Sequence, residues 1–429
     1  MHKFFFSIIT LLLTSSLYAQ CWKSIGRIDK DSVPTSFAIK EDGTLWAWGR
    51  NDYGLFGNGN TTSSPVPVKV NNDTDWQSIS YSGGSVKGIK TDGTLWAWGG
   101  NLGDGTKNSS LIPKQIGIEK QWKEVASDYR TLALKNNGSL WYWGGWGDEN
   151  FLTPTMVGTD TDWKTIFSEY AIKNNGTLWI IRLDYVGGVY VAKHTQVGVE
   201  NDFKQIDVNY AIKTDGTLWY YDDNSANSVG GSFQNSKIQV NNSNWQSISC
   251  GNGWESNGFG ITTDGALWSL NRGTATRIGN ETNWKSITVE HIGSGLNDGK
   301  GGTKIAIKTD GTIYTWGTEC CGEMGNSYND SPILLPTILN TPGCLASIDE
   351  VTSSENSFDM FPNPTDGLLN ISVKDKIMES ISIKNTEGRT VLVVSNPSNT
   401  IDISELKKGI YFLECHDSKS TYSKLIIKN

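Results

Sequence analysis

Residues 38–49 have the sequence Ala38-Ile39-Lys40-Glu41-Asp42-Gly43-Thr44-Leu45-Trp46-Ala47-Trp48-Gly49, and seven versions of this phrase occur along the 429-residue chain. Its central glycines, which always follow Asp or Asn, are Gly43, Gly93, Gly138, Gly176, Gly216, Gly265 and Gly311. A second anchor, Trp-Lys/Gln-x-Ile/Val, precedes each copy and starts at Trp22, Trp76, Trp122, Trp163, Phe203, Trp245 and Trp284. The glycines are 38 to 50 residues apart. Such a period indicates a stack or a ring of similar small units.

Each phrase predicts a β-hairpin. Asp-Gly and Asn-Gly tolerate positive φ at both central positions of a tight type I′ turn. Beyond the first turn, Leu45 and Ala47 point to one strand face and Trp46 and Trp48 to the other. Further short strands follow at residues 65–68 and 154–157, so each unit has about four strands. We therefore predict an all-β, seven-bladed β-propeller, because seven such units suit a closed ring.

Residues 37–59 carry the repeat most fully, with the glycine-rich connector Asn51-x-x-Gly54-x-x-Gly57-x-Gly59 after Gly49. The pattern resembles the regulator of chromosome condensation repeat over about residues 21–343, and this resemblance implies a seven-bladed propeller at 20–344. Units four to six depart from it. They lack the glycine-rich connector, and the phrase there ends in Ile181-Arg182, Tyr221-Asp222 and Leu270-Asn271.

The N-terminal residues predict export. Lys3 is followed by an apolar run at 4–13, and Ala19 provides a small residue for cleavage, as in a secretory signal peptide of residues 1–19. The run is too short for a transmembrane segment. Cys21 suggests a lipid anchor as the alternative, but Gln20 is too large for the usual lipoprotein cleavage site, so soluble export is favoured.

The chain changes character near residue 345. All 18 tryptophans lie before residue 317, residues 345–357 form a polar linker, and 358–429 alternate as in a small antiparallel β-sandwich. This segment resembles the C-terminal sorting domain of the type IX secretion system at Pro362, Asn363, Pro364, Gly367, Gly388, Gly409, Tyr411 and Lys424. The resemblance implies export by the type IX machinery of a Bacteroidota-type bacterium, with the sorting domain cleaved and the ring released or attached to the surface. An unrelated adhesive β domain is the alternative.

Charge and cysteine exclude some classes of partner. A net charge of −8 without a basic cluster argues against nucleic acid binding. Cys21 and Cys344 open and close the ring, so they are candidates for a disulfide in the oxidising space outside the cell. Separate pairing or free thiols are the alternative. Cys320 and Cys321 are further disulfide candidates, and their spacing does not match a zinc site.

The sequence predicts no catalytic residue, metal site or cofactor. It has no nucleophile elbow and no phosphate-binding loop. The repeated Asp-Thr-Asp-Trp segments provide paired carboxylates that could bind calcium or act as acid and base. Because Asn replaces Asp in later units, we interpret the pairs Asp73/Asp75 and Asp160/Asp162 as turn formers.

The repeat explains 16 of the 18 tryptophans as scaffold residues. Trp146 and Trp254 fall outside it in loops, so they are candidate binding residues; the alternative is that each packs over its own blade. We therefore predict a monomeric, secreted or cell-surface binding module for an extracellular protein or glycan, not an enzyme. An extracellular enzyme acting on polysaccharide or peptide is the alternative. Guanine-nucleotide exchange, which the repeat family suggests, is disfavoured by the signal peptide.

Overall fold

The computed structural model describes residues 21–28, 34–82, 84–127, 130–144, 151–186, 189–221, 237–250, 257–289, 302–318, 321–325, 333–339, 358–361, 365, 367–373, 380–385, 389–395, 400–416 and 421–428. The chain forms two compact units, Met1–Ala346 and Ser347–Asn429. The predicted signal peptide and the predicted linker at 345–357 lie outside the described residues. Within the described ranges, no helix is long and apolar enough to cross a membrane.

Each repeat forms a four-stranded antiparallel sheet from its own consecutive strands. The first three sheets contain β1 (Trp22–Ile25), β3 (Thr35–Lys40), β4 (Leu45–Gly49) and β5 (Ser64–Lys69); β6 (Trp76–Ser82), β7 (Ser85–Lys90), β8 (Leu95–Gly99) and β9 (Ser110–Gln115); and β10 (Trp122–Ser127), β11 (Thr131–Lys135), β12 (Leu140–Trp143) and β13 (Thr155–Met156). The short β2 (Arg27–Ile28) follows β1 and pairs in parallel with β6 of the second sheet.

The next four sheets have the same strand order. They contain β14 (Trp163–Phe167), β15 (Tyr170–Lys173), β16 (Leu178–Val186) and β17 (Val189–Val197); β18 (Phe203–Asp207), β19 (Tyr210–Lys213), β20 (Leu218–Tyr221) and β21 (Lys237–Gln239); β22 (Trp245–Cys250), β23 (Asn257–Thr262), β24 (Leu267–Asn271) and β25 (Thr274–Ile278); and β26 (Trp284–Val289), β27 (Thr303–Lys308), β28 (Ile313–Gly317) and β29 (Ile333–Ile338). The prediction of four strands per unit is therefore confirmed.

The hairpin turn of each unit differs from the predicted type I′ turn. In unit one, Gly43 N–H donates to the Lys40 carbonyl at 2.9 Å, and Lys40 N–H donates to the Thr44 carbonyl at 3.0 Å. Gly43 has a φ of +76°, whereas Asp42 is not among the positive-φ residues. This is a type I turn followed by a glycine bulge. Asp42 has a different role: its carboxylate accepts the N–H of Thr44 at 2.9 Å and the hydroxyl of Thr44 at 2.6 Å.

The turn glycine also joins each unit to the next. The main-chain N–H of the anchor aromatic donates to the glycine carbonyl of the preceding unit, as Trp76 does to Gly43 at 3.1 Å. The same bond joins Trp122 to Gly93, Trp163 to Gly138, Phe203 to Gly176, Trp245 to Gly216 and Trp284 to Gly265. A Cβ on Gly43 would lie 2.0 Å from the carbonyl oxygen of Thr74. Glycine is thus required both by its φ and by the contact between units.

Units seven and one make the same junction. Trp22 N–H donates to the Gly311 carbonyl at 3.0 Å. Trp22 and Trp48 also share a buried cluster with apolar side chains of β27 and β28. The Trp48 indole N–H donates to the Glu323 carbonyl of unit seven at 2.7 Å. The described residues of the N-terminal unit therefore form seven sheets whose first and last members meet, and the predicted all-β propeller fold is confirmed.

The C-terminal unit is the predicted small β-sandwich. One sheet contains β31 (Leu368–Val373) between β30 (Phe358–Phe361) and β34 (Thr400–Asp402); the other contains, in order, β33 (Thr390–Ser395), β32 (Ser380–Asn385), β35 (Gly409–His416) and β36 (Thr421–Lys428). All pairings within both sheets are antiparallel. Leu369 and Ile371 of the first sheet pack with Ile381, Ile383 and Leu413 of the second. This apolar layer gives the unit a core of its own.

We expect Gly138→Ala to destabilise the protein more than Gly117→Ala. The two glycines have φ values of +79° and +68°, so alanine at either costs about 1 kcal/mol of backbone strain. A Cβ at 138 would also lie 2.1 Å from the Thr161 carbonyl oxygen, whereas a Cβ at 117 meets nothing within 4 Å. Urea unfolding should therefore show an additional loss of about 2 kcal/mol or more for Gly138→Ala. Equal losses would show that the junction relaxes without cost.

Candidate functional site

The ring has two rims with different chemistry. Because neighbouring strands are antiparallel, the glycine turns and the links between units lie at one end of the sheets. We call this end the turn rim. The loops from the first to the second strand and from the third to the fourth strand lie at the other end, which we call the connector rim.

The turn rim repeats one cluster of side chains. In unit two, Lys90 Nζ lies 4.3 Å from the ring centroid of Trp96 and 5.1 Å from that of Trp76. It also lies 2.8 Å from Asp73 and 3.0 Å from Asp75. Burial opposes the charge of Lys90, but its hydrogen bonds to the two carboxylates raise its pKa. Equivalent lysines with aromatic and acidic partners are Lys135, Lys173, Lys213 and Lys308.

The paired aspartates therefore act as ion-pair partners, a role that the sequence interpretation missed. Asp160 and Asp162 lie 2.6 and 3.0 Å from Lys173. The hydrogen bond from Lys173 lowers the pKa of Asp160, and His194 Nε2 lies 3.3 Å from the same carboxylate. Among the described residues, no group of three or more metal-binding side chains occurs. The carboxylates of Asp160 and Asp162 are thus engaged by Lys173.

The connector rim varies from unit to unit. Its links between third and fourth strands range from two residues in unit four (187–188) to fifteen in unit five (222–236). Units four and six, which lack the glycine-rich connector in sequence, join these strands by links of two residues. The longest link between first and second strands, 290–302, is in unit seven. Differences between otherwise similar units are therefore concentrated at this rim.

The connector of unit one shows how the sequence shapes the rim. Asn51 is buried, and its amide oxygen accepts the N–H of Phe56 at 2.8 Å. Its amide nitrogen donates to the carbonyls of Asn60 at 3.0 Å and Thr62 at 3.2 Å. One side chain thus ties together the two ends of the loop. The residues on either side of Asn51 are consequently presented to solvent on a fixed backbone.

Arg50, Asp52 and Tyr53 form an exposed cluster on this loop. Tyr53 is 60% exposed, and the Arg50 and Asp52 side chains are 43% and 49% exposed. Arg50 donates through Nε to Asp52, and this hydrogen bond raises the pKa of Arg50. Sequence reasoning missed Tyr53 because it occupies a variable position inside the connector motif. The other large apolar side chains that are exposed in the described residues are aliphatic, whereas Tyr53 is aromatic.

The predicted binding residues Trp146 and Trp254 lie outside the described residues, so their role stays a prediction. In sequence, Trp146 falls between β12 and β13 and Trp254 between β22 and β23, and the described residues that flank these two segments lie at the connector rim. Gly144 N–H donates to the Phe151 carbonyl at 2.8 Å and closes the base of the first loop. Cys250 pairs with Gly258 at the base of the second.

The disulfide prediction is also untested. Cys21 has no disulfide partner among the described residues, while Cys344 and Cys320 lie outside them. Cys321 N–H donates to a carboxylate oxygen of Glu323 at 2.8 Å. Cys250 is buried, and desolvation together with Asp207 raises its thiol pKa. Because the thiolate is the reactive form, Cys250 is not suited to act as a nucleophile.

Two buried lysines, Lys87 and Lys304, lie near the connector rim. Lys87 has no exposed surface, and its Nζ donates to Ser85 Oγ. Burial lowers its pKa to about 7. Lys304 Nζ donates to the Gly302 carbonyl at 2.8 Å, and burial lowers its pKa to about 8. A Lys–Ser contact suggests nucleophilic chemistry, but both side chains of the first pair are enclosed by the sheets.

Part of the predicted sorting motif can be placed in the C-terminal sandwich. Gly367 is buried, and its carbonyl accepts the N–H of Ile403 at 2.7 Å. The Tyr411 hydroxyl donates to the Lys407 carbonyl at 2.8 Å. Gly409 and Lys424 lie on the paired strands β35 and β36. Pro362, Asn363, Pro364 and Gly388 lie outside the described residues.

Comparison with known families identifies both units. Residues 359–429 match the secretion system C-terminal sorting domain, and residues 42–86 match the regulator of chromosome condensation (RCC1) repeat. The chain thus combines a match to the RCC1 repeat in its first unit with a match to the C-terminal sorting domain in its second. The sorting domain implies export through the type IX secretion machinery, to the cell surface or the medium.

The chain is similar to two solved structures, of which human WBSCR16 supports the fold of the ring. Human WBSCR16 is 12% identical with a TM-score of 0.53, and the match covers 70% of this chain and 94% of that one. Prp20p from Saccharomyces cerevisiae is 16% identical with a TM-score of 0.41, covering 75% of this chain and 77% of that one. At these identities the likeness to WBSCR16 concerns the fold alone.

We expect the stability of the ring to depend on pH through Lys87. Its pKa falls from 10.5 in the unfolded chain to about 7 in the fold, so the unfolded state binds more protons between these values. The contribution to stability is fully present above 10.5 and is lost as pH falls to 7. The unfolding free energy of wild type relative to Lys87→Met should therefore rise by up to about 1.4 kcal/mol per pH unit above pH 7.

Urea unfolding at several pH values between 7 and 9 measures this slope. The exposed Lys69→Met variant serves as the control, and its difference from wild type should stay flat over the same range. If the difference in unfolding free energy between wild type and Lys87→Met also stayed constant with pH, the lowered pKa of the buried Lys87 amine would be contradicted.

Proposed function

We propose that the protein is a secreted or surface-displayed binding module that recognises an extracellular protein through its connector rim. The observation that supports this most directly is the contrast between the rims. At the turn rim, lysines and carboxylates pair with each other and support the scaffold. At the connector rim, loop length and side chains differ between units. Recognition commonly resides in variable loops held by a rigid scaffold.

The chemistry of the connector rim suits a protein partner. Tyr53 and Arg50 are exposed on a loop that Asn51 holds in place. Trp146 and Trp254, which we predict to contribute to binding, fall in sequence within two further links between strands. Tyrosine, arginine and tryptophan are the residue types that most often contribute large binding energies at protein interfaces. A glycan ligand would use the same aromatic side chains and is an outcome of the binding test below.

A non-enzymatic role is part of this proposal. Of the titratable groups with perturbed pKa in the ring, the carboxylates are held by lysines or by turn hydroxyls. The Lys87–Ser85 pair, which has the residue types for nucleophilic catalysis, is buried in the sheet packing. A catalytic site would need such groups to meet in a cavity open to substrate.

The proposed route combines two signals. The predicted signal peptide, residues 1–19, would direct the chain to the periplasm of a Bacteroidota-type bacterium. The sorting domain would then direct it across the outer membrane. Cleavage of the sorting domain would leave the ring either released or attached to the surface.

Deleting Ser347–Asn429 should leave a folded ring that accumulates in the periplasm. The boundary separates two compact units, so each retains its own core. Fractionation followed by immunoblotting locates the ring. Tryptophan fluorescence reports its folding, since all 18 tryptophans lie before residue 317. Normal amounts of the truncated ring in the medium would contradict the sorting role.

Alanine at Tyr53, Trp146 or Trp254 should weaken partner binding with little loss of thermal stability. The partner is first captured from the native extracellular medium on immobilised ring and is then purified for titration. At least one variant should lose about 2 kcal/mol of binding, or about thirtyfold in affinity. The Trp98→Ala variant provides the stability control, because Trp98 is fully buried and its removal leaves a core cavity.

Ile118→Ala provides the surface control, since Ile118 is 90% exposed in a link at the turn rim. An equal loss of binding in Ile118→Ala would move the interface away from the connector rim. A melting temperature as low as that of Trp98→Ala would instead show that a loop aromatic belongs to the core. A captured glycan in place of a protein would correct the class of partner.

A further inference from the structure

The outer strand of unit four differs from the other outer strands of the ring. Strand β17 (Val189–Val197) has nine residues, whereas β5, β9, β13, β21, β25 and β29 have two to six. It pairs along its whole length with β16, from Leu178 opposite Val197 to Val186 opposite Val189. Within the ranges that the structure describes, its other side has no strand neighbour. Unit four therefore carries the longest open sheet edge of the ring.

The other outer edges are protected against pairing. Proline, which cannot donate to a neighbouring strand, occurs in β5 as Pro65 and Pro67, in β9 as Pro113 and in β29 as Pro336. Strands β13 and β21 have only two and three residues. Proline and short length are both means by which proteins prevent edge-to-edge association. β17 has neither form of protection, and β25 is a five-residue strand without proline.

The register shows which backbone groups of β17 point outwards. Val186 and Val189 are paired and only two residues apart in the connection between the strands, so they form the hydrogen-bonded pair that closes the hairpin. Antiparallel pairing then alternates along the strand. Residues 191, 193, 195 and 197 direct their N–H and C=O groups to β16. Residues 190, 192, 194 and 196 direct theirs away from it.

We propose that β17 binds an extended segment of another polypeptide, which adds to the unit four sheet as a fifth, antiparallel strand. Alternating N–H and C=O groups at strand spacing match the backbone of another strand, and strand addition is an established mode of peptide recognition. The edge is separate from the connector loops, so this proposal does not depend on the rim interaction. The partner segment pairs with β17 through backbone groups. Its side chains contact Val191, which is 41% exposed, and Lys193.

Charge favours a different polypeptide over a second copy of this chain. Two copies of β17 that overlapped along all nine residues would place Lys193 opposite Lys193. Like charges directly opposite each other destabilise a strand pair. Lys193 is half-exposed, and its Nζ lies 3.1 Å from Asp184 Oδ2 on the neighbouring strand, so it already pairs with a carboxylate on one side. We therefore infer that the partner strand carries an acidic residue opposite Lys193.

The test uses a fluorescein-labelled, disulfide-cyclised β-hairpin peptide whose outer strand alternates Thr and Val around a central Glu. Cyclisation reduces the ordering cost of binding. The purified full chain should bind this probe with a Kd below about 1 mM, measured as a change in fluorescence anisotropy. Ala192→Pro removes an outward N–H without removing a bond to β16, and it should weaken binding about tenfold or more. The absence of binding by wild type would overturn the proposal.

Ala275→Pro is the matched control. Ala275 follows Thr274, which closes the β24–β25 hairpin opposite Asn271, so the N–H of Ala275 also points outwards. This variant should bind the probe like wild type. Tyr53→Ala should do so too, which separates this edge from the proposed rim interface. Equal weakening by Ala192→Pro and Ala275→Pro would show that unit four has no special role.

A charge exchange and hydrogen exchange provide two further readouts. Lys193→Glu should prefer a probe with Lys in place of the central Glu, reversing the preference of wild type by about threefold or more in each direction. This variant keeps the backbone, so it remains informative if Ala192→Pro unfolds. Residue-resolved amide exchange should slow at 190, 192, 194 and 196 when the probe binds. Uniform slowing along β17, or an unchanged charge preference, would overturn strand addition in this register.

Discussion

The ring depends on one backbone contact that is made at every junction: the N–H of the anchor aromatic donates to the carbonyl of the preceding turn glycine. The bond holds the start of each inner strand against the hairpin of its neighbour. At Gly43 the contact needs glycine, because an added Cβ would lie 2.0 Å from the Thr74 carbonyl oxygen in the link that follows. It also brings the anchor ring beneath the lysine of its own unit, where cation–π and ionic contacts add to apolar burial.

The repeat made the fold predictable because each of its residues determines a local feature of the turn, the strands or the core. Positive φ at Gly43, strand alternation from Leu45 to Trp48 and burial of Trp22 are all consequences of short-range chemistry. The turn type was wrong for an instructive reason. Asp-Gly is compatible with two hairpin geometries, and the choice between them depends on Asp42 binding the Thr44 N–H and hydroxyl. The pairing of Asp73 with Lys90 likewise required knowing which segments meet at the turn rim.

The candidate site was less predictable, because it is defined by what differs between units. Tryptophans outside the repeat could be found by subtraction, but Tyr53 could not, since it lies within a motif position that accepts any residue. The exposure of Tyr53 follows from the buried amide of Asn51, which fixes the loop beneath it. Similarly, the open edge of unit four depends on the length of β17 and on its register with β16, neither of which is evident from residue types alone.

Among the described residues, the four antiparallel strands of each blade come from one stretch of sequence, and β2 is the one strand that pairs with the sheet of the next unit. The seam at Trp22 and Gly311 is therefore chemically equivalent to the six internal junctions. Topologically, the ring has no privileged starting point. A circularly permuted gene that began at any other anchor aromatic would cut no four-stranded blade in two. The order of the loops around the rim is thus a cyclic arrangement, and repeats could be exchanged as whole cassettes.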